Sequence, residues 1–325
     1  MTDVSLVIPG RDCAATIDAC LESVVRILRA PGTPLREVLF VDDGSTDDTA
    51  ERVARHPVTV LPGGGRGPGA ARNMGWRAAR GELVWFVDAD CVAAPDALGT
   101  LLPHLEDEAV AAVSGTYGNA SAHSLLACLI HEEIVERHRA MDGDVDFLAT
   151  FNVLYRRRVL EELDGFDERY LKAQDAELSF RARAAGHRLR FEPRSRVDHH
   201  HEQHLLPYLR TQRKQGYWRA WLHLEHPGHG VRNSYSNALD HAQPILAMGL
   251  LASLPALAIP FVRWLPVLPL LLLLAAQVPM TARLVRRLGR PRFLLFAPMS
   301  AVRAIWRGVG MTHGTIHYAL SGRRG

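Results

Sequence analysis

Beyond Asp240 the sequence contains no acidic residue. The formal net charge of +3 therefore averages two unlike segments. Residues 1–240 carry 28 Lys and Arg against 35 Asp and Glu, and residues 241–325 carry ten Arg with nothing to oppose them. A globally basic nucleic-acid binder is a poor reading, because positive charge sits only in and behind an apolar tail. Cysteine is scarce as well: Cys13, Cys20, Cys91 and Cys128 fall at scattered spacings with no C-x-x-C, suggesting neither a zinc cluster nor a disulfide framework. The opening MTDVSLVIPG has no cationic region and no apolar run of signal length before Pro9 and Gly10. No secretory signal is expected, and the first 240 residues are expected to stay in the cytosol. What remains, 325 residues at 47% hydrophobic and 22% charged, suits one large α/β domain with an appendage.

That appendage has two apolar stretches, Gln243 to Val262 and Trp264 to Met280, separated only by Arg263. At 1.5 Å per residue the first can cross a hydrocarbon core of roughly 30 Å and the second barely can. A tight helical hairpin is expected, spanning or re-entrant, with Arg283, Arg286, Arg287, Arg290 and Arg292 at its cytoplasmic end. A buried soluble helical pair is the alternative. Phe293 to Val309 places Arg303 and Arg307 four apart on one face, which fits a helix lying in the interface, or else one packed on the catalytic domain. The expected organisation is a catalytic domain over 1–225, a linker over 226–242, the hairpin over 243–281 and a basic interfacial helix and tail over 282–325.

In the first part, short apolar runs alternate with helical periodicity: Val4 to Ile8, Val38 to Val41, Val58 to Leu61, Leu83 to Val87 and Ala109 to Ser114 read as strands. This alternation predicts an α/β fold with a mostly parallel sheet sandwiched by helices. Asp42 and Asp43 follow one strand, Asp88 and Asp90 another, at the carboxyl ends where open α/β sheets bind ligands.

Asp88-Ala89-Asp90 offers two hard carboxylates suited to Mg²⁺ or Mn²⁺ beside a diphosphate; as a lone pair it would read as solvated turn residues. Pro62 to Gly69 is a glycine-rich loop before a helix bearing Arg72, a combination that favours phosphate. The strict G-x-G-x-x-G is not met, which weakens a dinucleotide-binding dehydrogenase. Asp175 opens a helix, where it serves either as a cap or as a general base. His199 and His201 alternate on Val197 to His201, either as metal or phosphate contacts or as part of a surface histidine cluster.

Together these residues resemble the family-2 glycosyltransferases of GT-A fold. VSLVIPGRD is similar to the first strand and loop, and VLFVDDGSTDDT to the nucleotide-binding segment. AARNMGWRAARGELVWFVDADC is similar to the arginine helix and D-x-D, and NVLYRR with LDGFDERYLKAQDAELSFRARAAG to the acceptor side. V-D-H-H-H followed by YLRTQRKQG is similar to the end of membrane-linked members. The resemblance implies donor contacts from Asp42, Asp43, Arg72 and Asp88, metal contacts from Asp88 and Asp90, and Asp175 as catalytic base; beside these, Pro9, Arg11 and Asn152 are expected at the donor, with the Arg11 guanidinium in place of the family's frequent small-aromatic pair, and His199 at the metal. It further implies Mg²⁺ or Mn²⁺, a nucleotide-sugar donor and inversion at the anomeric carbon. The membrane tail adds a lipid-linked or other glycan acceptor and membrane lipids as partners, with the catalytic domain on the cytoplasmic face of the cell membrane. Gln174 stands where the family usually has Glu, and Gln212 to Trp218 departs from the processive Q-x-x-R-W, so a single transfer is expected. A nucleotidyltransferase and a non-catalytic scaffold are the rivals.

Overall fold

The computed structural model describes residues 2–141, 143–227 and 234–321. The chain forms two compact units that interleave in sequence: Met1–Ser121 with His138–His201, and Ala122–Arg137 with Glu202–Gly325. The first unit runs through β1 (Val4–Gly10), α1 (Ile17–Leu28), β2 (Leu35–Asp42), α2 (Thr49–Val53), β3 (Thr59–Pro62), α3 (Pro68–Ala78), β4 (Leu83–Val87), β5 (Cys91–Ala93), α4 (Ala97–Leu101) and β6 (Val110–Asn119). After α5 (Leu125–His138) the chain returns through β7 (Asp144–Val145), β8 (Asn152–Arg156), α6 (Arg157–Glu162), α7 (Gln174–Ala184) and β9 (Arg188–His199). The second unit adds α8 (Leu205–Glu225), α9 (Ala238–Ser253), α10 (Val267–Ala275), α11 (Val278–Leu288) and α12 (Phe296–Leu320) to α5.

The sheet order is β3-β2-β1-β4-β8-β6-β9-β5, with β7 on β9. The expected parallel arrangement holds for β3-β2-β1-β4, whereas β8 runs antiparallel to both β4 and β6, and β5 and β7 antiparallel to β9. Parallel neighbours need a crossover, which α1, α2 and α3 provide among the first four; later in the chain β6 and β9 are also parallel, and the stretch through α5 to α7 connects them. Every residue of β4 is buried, as suits a central strand covered on both faces. Helix α3 lies close on β1 because Gly75 has no side chain: a Cβ there would stand 2.2 Å from Val7 Cγ1.

In the second unit, α8 and α12 meet backbone to backbone at glycines. A Cβ on Gly310 would lie 2.0 Å from the Arg213 carbonyl oxygen, and one on Gly314 2.4 Å from that of Tyr217. Backbone cannot swing aside, so Gly310→Ala is expected to destabilise this unit by about 1–3 kcal/mol. Gly249→Ala in α9, with nothing within 4 Å of the added carbon, should be neutral or slightly stabilising. Thermal unfolding of the two variants side by side checks this; equal midpoints would mean the helices part easily.

Two helical stretches, Ala238–Ala258 and Val267–Leu288, are long and apolar enough to cross a membrane, and only 22% of the apolar window of each is buried. The core helices of a soluble protein are mostly buried. The expectation for the face carrying Arg303 and Arg307 is corrected. Arg303 is 4% exposed and paired with Glu133 of α5, while Arg307 donates to Gln212 of α8 at 2.7 Å. With no acid of its own, α12 finds its counter-charge and its amide acceptors on α5 and α8, so this face turns into the unit instead of toward headgroups. Arg287 likewise pairs with Glu132 and Glu136. The linker expectation falls partly on residues 228–233, which lie outside the described residues.

Candidate active site

The loops after β1 and β2 are cross-braced. Asp43 N–H donates to Gly10 O (2.8 Å), Asp12 accepts from Thr46 N–H (2.7 Å), and Cys13 N–H donates to Thr49 Oγ1 (2.8 Å). Asp42 closes its own turn by accepting from Ser45 N–H at 2.9 Å. The glycine-rich loop is tied in by Gly67 N–H, which donates to Asp43 Oδ2 at 2.9 Å; Gly67 sits at φ 101°, open to glycine and hardly to any other residue. Asp43 is 5% exposed, and its Oδ1 is buried with no hydrogen-bond partner. Pro9 pairs in register with Val41 beside these loops, and Arg11 stands half-exposed, ion-paired to Asp12 at 3.6 Å.

Arg72 projects from α3 toward the end of β4 and donates through Nη2 to Asp88 Oδ1 at 2.6 Å. It is 4% exposed, yet its Nε and Nη1 are buried without acceptors. Orphaned buried donors on a guanidinium are rare and costly, and a guanidinium in this state is suited to an anion. Asp175, second residue of α7, lies within electrostatic reach of both Arg72 and Asp88. Burial pushes its carboxyl above the ordinary value; the Ala176 N–H (2.9 Å) and Arg72 oppose this, Asp88 adds to it, and the net direction is up. Ala173 just before the helix has φ +67°, a left-handed conformation unusual for a residue with a side chain. Gln174 Oε1 beside it is buried and unpartnered.

Asp90 and His199 form the second half of the site. His199 Nε2 lies 3.2 Å from Asp90 Oδ2, because β5 and β9 pair with Cys91 opposite His199. Among the described residues, the ligand atoms of Asp90, Cys91 and His199 lie within 4.8 Å of one another. Burial raises the Cys91 thiol well above its usual range, so it stays protonated and is a poor partner for a hard cation. Asp90 oxygen and His199 nitrogen fit Mg²⁺ or Mn²⁺, with Mn²⁺ better suited to the imidazole. Asp88, expected in the same ligand set, is held by Arg72 and is not part of this cluster. His199 Nδ1 meets His201 Nδ1 at 2.9 Å, although the strand ends at His199.

Asn152 does not serve the donor sugar as expected. It is fully buried, its amide oxygen accepts from Trp85 Nε1 (2.9 Å) and its amide nitrogen donates to Ser195 Oγ (2.9 Å). Nothing of it is left for a ligand. Asn73, beside Arg72, is equally committed, to Trp76, Phe166 and Glu168. Tyr155 was not singled out from sequence: its hydroxyl is buried near Ser179, and burial, then the nearby Asp175 charge, raises its phenol. A tyrosine in an apolar strand gives no sign of this, since its facing element arrives only with the fold.

This is a GT-A-like mixed α/β fold with its polar residues at the carboxyl ends of β2 and β4. Residues 5–164 match Glycosyl transferase family 2, which supports a family-2 glycosyltransferase. It is 29% identical over 250 residues to the pre-mycofactocin glycosyltransferase of Mycobacterium tuberculosis, covering 69% of this chain and 48% of that protein. It is 30% identical over 207 residues to the probable glycosyltransferase YdaM of Bacillus subtilis, covering 58% and 49%. The chain thus spans about half the length of these curated relatives. A mannosyltransferase from Pyrobaculum calidifontis, solved with GDP-Man and Mn²⁺, shares the fold at a TM-score of 0.62 and 21% identity, over 96% of this chain and 89% of that one.

Proposed function

We propose that the protein transfers a sugar from a nucleotide-diphosphate sugar to an acceptor hydroxyl, with inversion, at the cytoplasmic face of a membrane. The observation that carries this is Arg72: a buried guanidinium anchored on Asp88 with two N–H donors unused, shaped for a diphosphate. Asp43, with one carboxylate oxygen unsatisfied, is suited to the ribose or base of the donor, with Asp42, Pro9 and Arg11 beside it. Asp175 takes the proton from the acceptor hydroxyl as that oxygen attacks the anomeric carbon and the nucleoside diphosphate departs. Its raised basicity suits the role. Asp90 and His199 would hold the divalent cation, which when bound neutralises charge on the departing diphosphate. The pre-mycofactocin and mannosyltransferase names of the similar proteins support a sugar donor.

The test is release of nucleoside diphosphate from a panel of nucleotide sugars by detergent-purified protein with Mn²⁺, Mg²⁺ or EDTA. One donor is expected to turn over with metal and not with EDTA. Asp90→Asn is expected to lose about 100-fold or more, since several kcal/mol of charge stabilisation goes with the cation. Release of pyrophosphate from a nucleoside triphosphate instead would overturn the transferase assignment.

The exposed apolar helices and the exposed Arg283, Arg286, Arg290 and Arg292 support a membrane location and a lipid-linked acceptor. The full chain is expected to resist extraction by alkaline carbonate; its appearance in the wash would refute membrane insertion. Removal of residues 241–325 is a poorer test, because it uncovers Tyr208, Leu209, Cys128 and Leu129, which pack on Leu284, Phe293 and Phe296. Such a protein would aggregate whatever its relation to lipid.

A further inference from the structure

An imidazole on the last residue of a strand can turn about its own bonds, and either ring nitrogen can face a neighbour. At His199 the backbone and two other rings hold it still. Strand β9 ends there, and the chain folds back at once: His200 N–H donates to the Asp90 carbonyl (3.0 Å) and His201 N–H to the carbonyl of His199 (3.1 Å). A hydrogen bond from residue i+2 back to residue i closes a γ-turn. It brings together the side chains of His199 and His201, which on a continuing strand would stand apart on one face. The ring centroids lie 4.5 Å apart and the Nδ1 atoms 2.9 Å. Tyr117 of β6 packs against both rings, 4.9 Å from His199 and 5.7 Å from His201, and is itself stacked on Phe151 at 3.4 Å. His201 is 3% exposed, which shields the contact from competing water.

A nitrogen–nitrogen contact of 2.9 Å is a hydrogen bond whose proton belongs to one ring or the other. With the proton on His199 Nδ1, His201 Nδ1 accepts it. His199 Nε2, 3.2 Å from Asp90 Oδ2, then presents a lone pair beside the carboxylate. With the proton on His201 Nδ1, a neutral His199 keeps its own on Nε2, donates it to Asp90 and has no lone pair there for a cation. The first arrangement makes a metal site, and it needs an acceptor where His201 Nδ1 stands. Metal-bound imidazoles as a rule donate their second N–H to such a partner, which sets both tautomer and ring orientation.

We propose that His201 is a positioning residue for the divalent cation: its Nδ1 fixes the ring and tautomer of His199 so that Nε2 faces the cation beside Asp90, which gives the site a preference for Mn²⁺ over Mg²⁺. The proposal rests on the assignment of Asp90 and His199 as the cation site. Mg²⁺ keeps several waters and takes oxygen readily, so it depends less than Mn²⁺ on a well-aimed imidazole.

The experiment titrates the detergent-purified full chain with Mn²⁺, without nucleotide, following the electron paramagnetic resonance of the free ion, and repeats the titration with Mg²⁺ as competitor. Wild type is expected to bind Mn²⁺ saturably, and Asp90→Asn to lose that binding. His201→Phe keeps a ring and removes the acceptor. It is expected to weaken Mn²⁺ by about 10–100-fold, the usual effect of losing such a partner, and Mg²⁺ by less, so that the preference narrows. His201→Asn should stay within about threefold of wild type, because its amide oxygen can accept where Nδ1 did. A merely structural role would move the unfolding midpoint of both variants and leave the ratio of Mn²⁺ to Mg²⁺ affinity alone. If His201→Phe does not fold, His201→Ala, which adds no bulk, carries the same expectation. Mn²⁺ binding in His201→Phe or His201→Ala equal to wild type, or His201→Asn as weak as these, overturns the proposal and leaves the cation site standing. No Mn²⁺ binding by wild type, or binding that Asp90→Asn retains, overturns the cation site and this proposal with it.

Discussion

Asp175→Asn is expected to lower sugar transfer by about 10²–10⁴, the usual contribution of a positioned general base, while donor-binding affinity changes little. The same variant should unfold at an equal or higher temperature than wild type. Burial holds the Asp175 carboxyl above its ordinary value of 3.8, so the native state binds a proton that the unfolded chain has released. Ionising it therefore costs stability as pH rises from about that value through the raised one, and Asn removes the cost. Activity has the opposite sign: in wild type it should rise with pH across the Asp175 titration and then level off. Measuring kcat, donor affinity and the unfolding midpoint on one preparation separates a base from a fold element. If Asp175→Asn keeps transfer within tenfold of wild type, the proton goes to another group and the assignment of Asp175 as general base falls.

The parts of this site that could be read from sequence are those whose backbone setting is local. Asp42 and Asp43 follow an apolar strand, Asp88 and Asp90 follow another, and Asp175 opens a helix; a strand end or a helix start is visible in a short window. Arg72 was legible for the same reason, as a cation on the helix behind a glycine-rich loop. What could not be read depends on pairings distant in the chain. Whether Asp88 turns to a metal or to Arg72 is decided by the packing of α3 on β1, which Gly75 permits. Asn152 looks the same in sequence whether it touches a donor sugar or merely ends a strand, and it is claimed by Trp85 and by Ser195, 43 residues away. The hydropathy of residues 243–280 announced apolar helices, yet gave no sign that α5, far earlier in the chain, would join them. Helix α5 is recruited by charge: its Glu132, Glu133 and Glu136 meet the arginines of a segment with no acid of its own.

That recruitment makes Glu133 the most consequential side chain of the helical unit. It is 5% exposed and accepts from Arg303 Nη2 at 3.0 Å and from Arg137 Nη2 at 2.8 Å, with a second bond from Arg303 Nη1. Burial would raise its carboxyl, but Arg303 and then Arg137 override it and hold the group well below the ordinary 4.5. Glu133→Ala leaves Arg303 buried beside Ser300 and the Tyr208 hydroxyl with no carboxylate, and is expected to cost about 3–5 kcal/mol, the toll of an uncompensated buried ion. Replacing both partners, Glu133→Leu with Arg303→Met, should recover much of that loss, since two apolar groups of similar volume leave no charge behind. Because the folded carboxyl sits below its unfolded value, the stabilisation is complete above about pH 4.5 and is lost as pH falls below it. Equilibrium unfolding followed through Trp218, Trp221 and Trp306 reads this unit directly. A single-variant loss below about 1 kcal/mol, of the size surface pairs give, would mean that water reaches the cluster and that apolar packing alone joins α5 to α12.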